Sequence, residues 1–97
     1  MKGLLEKEKI VQKEKVRQYK VIMYNDDITP FEYVILVLIK LFDKNPKEAI
    51  DLAKSIHSSG SGIAGIYAKE KAEEKLDMLE KENDSYGFEL YATMEEM

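Results

Sequence analysis

Both prolines of the chain stand in the same four-residue pattern, "TPFE" at Thr29 to Glu32 and "NPKE" at Asn45 to Glu48. Proline fixes φ near about −65° and has no N–H to lose, so it suits the first position of a helix. A hydroxyl or amide residue before it can cap the helix, and a glutamate two residues after it can close a capping box. The pattern therefore predicts two separate helices. The first has Thr29 as N-cap, Pro30 at N1 and Glu32 at N3. The second has Asn45 as N-cap, Pro46 at N1 and Glu48 at N3. Helix one, through "FEYVILVLIKLF", is apolar on most sides and is expected at the centre of the core, stopping near "DKNP". Helix two places Ala49, Leu52, Ala53 and Ile56 on one face and ends in "HSSGSG", with Gly60 suited to a left-handed terminal position.

The rest of the chain fits around these two helices. "YKVIMY" (Tyr19 to Tyr24) has the aromatic and β-branched content of a strand. "IAGIYA" (Ile63 to Ala68) is a short strand whose internal glycine marks a bulge or a close backbone approach. "KEKAEEKLDMLEKEN" is a third helix with Ala72, Leu76 and Leu79 inward and its Glu and Lys residues, Glu70 and Lys75 among them, on the exposed face. "DSYG" is a turn and "FELYAT" (Phe88 to Thr93) a last strand. The order is β-α-α-β-α-β, an α+β fold. Residues 1–17 are expected to be a flexible arm, because an isolated helix of that length is marginal in water. Residues 18–97 form one small domain, the most that 97 residues allow.

Composition excludes several functions. There is no cysteine, so disulfides, thiolate chemistry and Cys-ligated metals are ruled out, and a reducing cytoplasm is compatible. The longest apolar run, "VILVLI", is too short to cross a bilayer of about 30 Å, and "MKGLLEKEKI" becomes charged too soon for a signal peptide. Residues 1–18 carry six Lys or Arg and three Glu, and the remainder nine basic and sixteen acidic residues. A body near −7 repels a phosphate backbone, so no nucleic acid is expected as a partner. No membrane is expected either, since Leu4, Leu5, Ile10, Val11 and Val16 form no broad stripe.

Between the first strand and helix one lies "YNDDITPFEY". Asn25, Asp26 and Asp27 can satisfy backbone donors in the turn. With Thr29 as the cap, however, two of these acceptors are surplus. His57, the one histidine, ends the apolar face of helix two and can simply be packed there or favoured by the helix dipole. Metal binding by Asp26, Asp27 and His57 is a weak alternative, and no nucleophile–base pair, zinc-protease motif or P-loop is present. An amide oxygen, a carboxylate and a neutral imidazole suit a free α-amino group, a small cation with three donors. Phe31, Val34, Ala53 and Ile56 beside them offer an apolar lining.

These residues carry a resemblance. "YKVIMYNDDITPFEYVILVLIKLF", "HSSGSGIAGIY" and "KEKAEEKL" followed by "FELYATME" resemble the ClpS family, the adaptors that deliver N-degron proteins to the bacterial ATP-dependent Clp protease. The resemblance covers about residues 18–96. It implies a cytoplasmic adaptor, not an enzyme, with a three-stranded antiparallel sheet and three helices, no cofactor or metal, and a monomeric state when free. It implies that Asn25, Asp26 and His57 hold the substrate's α-amino group, and that Asp27, Thr29, Phe31, Val34, Ala53, Ile56 and Leu90 line a pocket for a bulky hydrophobic first side chain. It assigns Glu70 and Lys75 to the surface that meets the N-terminal domain of a Clp AAA+ ATPase, and residues 1–17 to the delivery arm. Phe31 and Ala53 stand where relatives often have Met, and Ala64 where they often have Cys. The favoured expectation is that Phe31 turns away and Ala53 leaves room for β-branched Ile or Val. A plain interaction domain that reads no amino terminus is the alternative.

Overall fold

The computed structural model describes residues 17–97. Its elements run β1 (Gln18–Tyr24), α1 (Phe31–Phe42), α2 (Pro46–Ser59), β2 (Ser61–Ala68), α3 (Lys69–Tyr86) and β3 (Ala92–Glu96). The sheet is antiparallel in the order β2-β1-β3. This is the α+β architecture expected, with three strands, three helices and the β-α-α-β-α-β order. Residues 1–16, and with them nearly all of the expected arm, lie outside the described residues.

One face of the sheet forms the core. Val21 and Met23 of β1 are fully buried, with Ala64 of β2 beside them. The helices supply Val37, Leu38, Leu41 and Phe42 from α1, Ala49, Ala53 and Ile56 from α2, and Ala72 and Leu79 from α3. Each large buried side chain contributes about 1.5–3 kcal/mol. The β1–β2 register slips between Val21 and Ile22, leaving Ala64 as the extra residue of a bulge. The glycine in β2 thus marks both a bulge and a close approach: a Cβ on Gly65 would lie within 3 Å of the Tyr67 ring.

The two proline patterns diverge. Asn45 caps α2 as expected: its side chain accepts from Glu48 N–H at 2.8 Å, and Glu48 accepts from Asn45 N–H at 3.0 Å. Gly60 takes the left-handed conformation (φ 97°) that ends α2, donating to Ile56 O. Thr29 does not cap α1. Pro30 is extended (ψ 143°), and its own carbonyl accepts from Tyr33 and Val34 N–H. The helix therefore starts at Phe31, and Thr29 falls one residue outside it.

Three further expectations are corrected. Helix α3 runs through "DSY" to Tyr86 and stops at left-handed Gly87 (φ 77°). Tyr86 is drawn into it by its ring contact with Tyr33, centroids 5.4 Å apart. The last strand begins at Ala92 rather than Phe88, because Asn83 holds the preceding segment against the helix. Phe88 N–H donates to Asn83 O, and Asn83 Nδ2 donates to Leu90 O. Asn83 also accepts from the Tyr33 hydroxyl at 2.7 Å. Burial, with Glu82 and Tyr86 nearby, pushes the Tyr33 pKa up to about 12, so it remains a donor.

The third correction is Lys75. It is not on the exposed face of α3 but 5% exposed. Its ammonium donates to Leu41 O at the C-terminal end of α1, 3.9 Å from Asp43 and above the Phe42 and Tyr67 rings at 5.9 and 5.5 Å. A cation here satisfies an unpaired helix carbonyl and the negative end of the helix dipole. Lys75→Met should destabilise the domain by about 1–3 kcal/mol through the unsatisfied carbonyl, and Lys75→Glu by more. Urea unfolding checks this: a Lys75→Glu midpoint equal to wild type would contradict it.

Candidate functional site

The site grows from the end of the central strand. Tyr24 N–H donates to Tyr91 O at 3.0 Å and Asn25 N–H to Gly60 O at 2.9 Å. The chain leaving β1 is thus tied on one side to the segment before β3 and on the other to the end of α2. The second tie brings Asn25 to the helix end that carries His57.

Asp26 then organises the turn. Its Oδ1 accepts from Ile28 N–H at 2.8 Å and Thr29 N–H at 2.6 Å, and its Oδ2 from the Thr29 hydroxyl at 2.7 Å. Asp26 is therefore not surplus to turn formation, as expected from an N-cap at Thr29. It takes over Thr29, because extended Pro30 moves that residue out of capping range. Burial alone would raise the Asp26 pKa, but the Thr29 and Ile28 hydrogen bonds outweigh it and hold the carboxyl below its ordinary 3.8. A carboxylate offers about four lone-pair positions, and three are used. One on Oδ2 is left for a further donor.

Around this turn lies a cavity of about 330 Å³. Asn25, Asp26, Asp27 and His57 line it with polar groups, and Asn25, Asp27 and His57 are exposed at its rim. Thr29, Phe31 and Val34 line it from the turn and α1, and Ala53 and Ile56 from α2. Leu90, 3% exposed, closes it from the segment held by Asn83. The structure thus brings every expected amine-clamp and pocket residue to one cavity. It also adds Tyr24. The signal for Tyr24 was its place as the last residue of β1, directly before the Asn25–Asp27 turn. Phe31 is among the residues that line the cavity and is 40% exposed. Glu70 is exposed in the first turn of α3, and Lys75 is buried, so the two do not form one exposed pair. Among the described residues no group of three His, Cys, Asp or Glu is placed to hold a metal ion, and no helix is long and apolar enough to cross a membrane.

A polar, acceptor-rich rim over an apolar floor defines a binding module for a small cationic group attached to a hydrophobic one. Comparison with known proteins gives the class a family. The family model described as "ATP-dependent Clp protease adaptor protein ClpS" matches residues 14–93. The ClpS adapter of Clostridium acetobutylicum is 40% identical over 93 residues, covering 93% of this chain and 92% of that protein. That of Oleidesulfovibrio alaskensis is 37% identical over 81 residues, covering 84% and 78%. The structure of Agrobacterium tumefaciens ClpS2 bound to L-phenylalaninamide has a TM-score of 0.80 at 29% identity, covering 86% of this chain and 100% of that one. The chain belongs to the ClpS family. It is an adaptor of the Clp protease system that binds N-degron substrates, hands them to a Clp ATPase and does no chemistry of its own.

The Asp26 geometry has a pH consequence. Its folded-state pKa is lowered, so its contribution is complete above the ordinary 3.8 and is lost as pH falls through the lowered value. The Ile28 and Thr29 amide resonances should therefore titrate with a midpoint below 3.8. A midpoint above 3.8 would contradict the hydrogen-bonded turn.

Proposed function

We propose that this cavity receives the free α-amino group and the bulky hydrophobic first side chain of N-degron substrates. Asn25, Asp26 and His57 take the amine. Asp27, Thr29, Phe31, Val34, Ala53, Ile56 and Leu90 surround the side chain. The observation that carries this assignment is the single unused acceptor position on Asp26, placed on the rim with Asn25 and His57 above an apolar floor. A cation there gains a charge-assisted hydrogen bond of about 1.5–3 kcal/mol. N-acetylation removes both the charge and the donors. Calorimetry with one peptide, free and acetylated, should show binding only for the free form. Equal affinities would instead support an interaction domain that reads no amino terminus.

Phe31 bears on which first residues are accepted. With its ring at the cavity, a ligand ring gains about 0.5–1.5 kcal/mol beyond area burial. Peptides beginning with Phe should bind more tightly than those beginning with Ile or Val, and Phe31→Ala should cost the Phe peptide about 2- to 12-fold. Anisotropy titrations check this, and an unchanged Phe affinity in the variant would contradict it.

The handover belongs to other surfaces. Glu70, exposed on α3, meets the N-terminal domain of a Clp AAA+ ATPase. Lys75 supports that surface from beneath by joining α3 to the end of α1. Residues 1–17 engage the ATPase during delivery, and the adaptor works in the cytoplasm as a monomer when free. Deleting residues 1–17 should leave peptide binding intact and stop degradation of a model substrate. Normal degradation with the truncated adaptor would contradict the role of the arm.

A further inference from the structure

Two walls of the cavity come from distant parts of the chain. Phe31 and Val34 stand in the first turn of α1, and Leu90 in the segment before β3. Between Phe31 and Val34 lies Tyr33, which is buried. Its hydroxyl donates to Asn83 Oδ1 at 2.7 Å, and Asn83 Nδ2 donates to Leu90 O at 3.0 Å. One half-buried side chain of α3 thus bridges the first turn of α1 to the carbonyl of Leu90. The direction of both bonds is set by chemistry. A carbonyl only accepts, so the Asn83 amide turns its NH2 to Leu90 and leaves its oxygen to the Tyr33 hydroxyl. The bridge acts where strand pairing does not, because the β1–β3 ladder begins at Met23 and Ala92. The backbone before it is anchored at its ends, by Phe88 N–H on Asn83 O and by Tyr24 N–H on Tyr91 O. The Leu90 carbonyl between those anchors is held by the Asn83 side chain.

We infer that Asn83, which does not itself line the cavity, is a positioning residue that fixes how far Leu90 stands from the α1 wall, and through that spacing the size of first side chain the adaptor selects. The inference rests on the assignment of this cavity to the first side chain proposed above. A wall held by a directional bond keeps its place against a side chain too large for it, whereas a wall free to slide yields. With the bridge intact, a phenyl ring meets Leu90 at a spacing already set. A larger indole must push Leu90 back against the Asn83 bond. Without the bridge, the Leu90 carbonyl turns to water. The phenyl ring then loses its preset contact, and the indole loses the obstacle. The Tyr33 ring also packs on Tyr86 and Phe88, with centroids 5.4 and 4.8 Å apart, so removing the hydroxyl alone leaves the aromatic packing in place.

Anisotropy titrations of the full chain with peptides beginning Phe, Trp and Ala, identical afterwards, test this. The Ala peptide offers the amine without a side chain long enough to reach Leu90. Asn83→Ala should weaken the Phe peptide about fivefold and leave the Trp and Ala peptides within about twofold, so that the preference for Phe over Trp narrows. Asn83→Asp keeps an acceptor for the Tyr33 hydroxyl but turns an oxygen to the Leu90 carbonyl, and should narrow the preference as much. Tyr33→Phe should narrow it about twofold in the wild-type background and no further in the Asn83→Ala background, because the two residues act through one chain of bonds. Should Asn83→Ala not fold, Asn83→Asp and Tyr33→Phe decide alone. An equal loss across the three peptides in Asn83→Ala, the mark of a merely structural role, would overturn the positioning role. So would an unchanged preference in Asn83→Asp and Tyr33→Phe. In either case wild-type binding of the Phe peptide would uphold the assignment of the cavity. Failure of wild type to bind the Phe peptide would overturn that assignment and this inference with it.

Discussion

The Asp26 carboxylate is the constraint on which the site depends. Three donors from two residues close the turn between β1 and α1 around it. Without that closure, Asn25 and Asp27 would not be held at the same rim, and α1 would not enter the core from a fixed direction. The same bonds keep the group ionised by lowering its pKa. On the proposed reading, structural and ligand-binding roles coincide in one side chain: the turn consumes three of the carboxylate's acceptor positions and leaves one for the amine.

The apolar half of the site is a by-product of close helix packing. Ala49 and Ala53 are fully or almost fully buried on α2, and Gly62 of β2 lies where a Cβ would come within 2.8 Å of Ile56. Small residues let α2 lie close to the sheet, and they leave an open floor at Ala53. Phe31 of α1 and Leu90 of the segment before β3 line the same cavity. Leu90 is available because Asn83 ties its carbonyl to α3. The late start of β3 is thus a condition of the cavity.

Where the sequence was legible, a residue's local pattern and its tertiary use agreed. Asn45 and Glu48 interact within one turn, and the capping box forms as read. Strand β1 shows its buried face directly in Val21 and Met23, with less buried residues between and beside them. The pattern at Thr29 looks the same as that at Asn45, but a carboxylate three residues earlier competes for Thr29 and wins through charge-assisted bonds. Local spacing does not reveal that competition. Lys75 was unreadable for a related reason: helical periodicity assigns lysine to solvent, and its partner, the Leu41 carbonyl, comes from a helix 34 residues away in sequence. Asn83 likewise acts through tertiary contacts, with Tyr33 and with Leu90. The candidate amine clamp was legible as a short contiguous motif, Asn25 and Asp26, plus His57, and the tie that brings them to one cavity, Asn25 to Gly60, is a backbone bond that side-chain identity does not encode.

The central claim is that the amine is taken where the turn of β1 meets the end of α2. Amide and side-chain chemical-shift mapping during titration with L-phenylalaninamide tests it most directly. The account predicts that the largest changes fall on Asn25, Asp26 and His57, with Phe31 and Ala53 following as the ring enters. Changes centred on the outer sheet residues Ile63 and Ile66, or absent from Asn25, Asp26 and His57 at saturation, would contradict it.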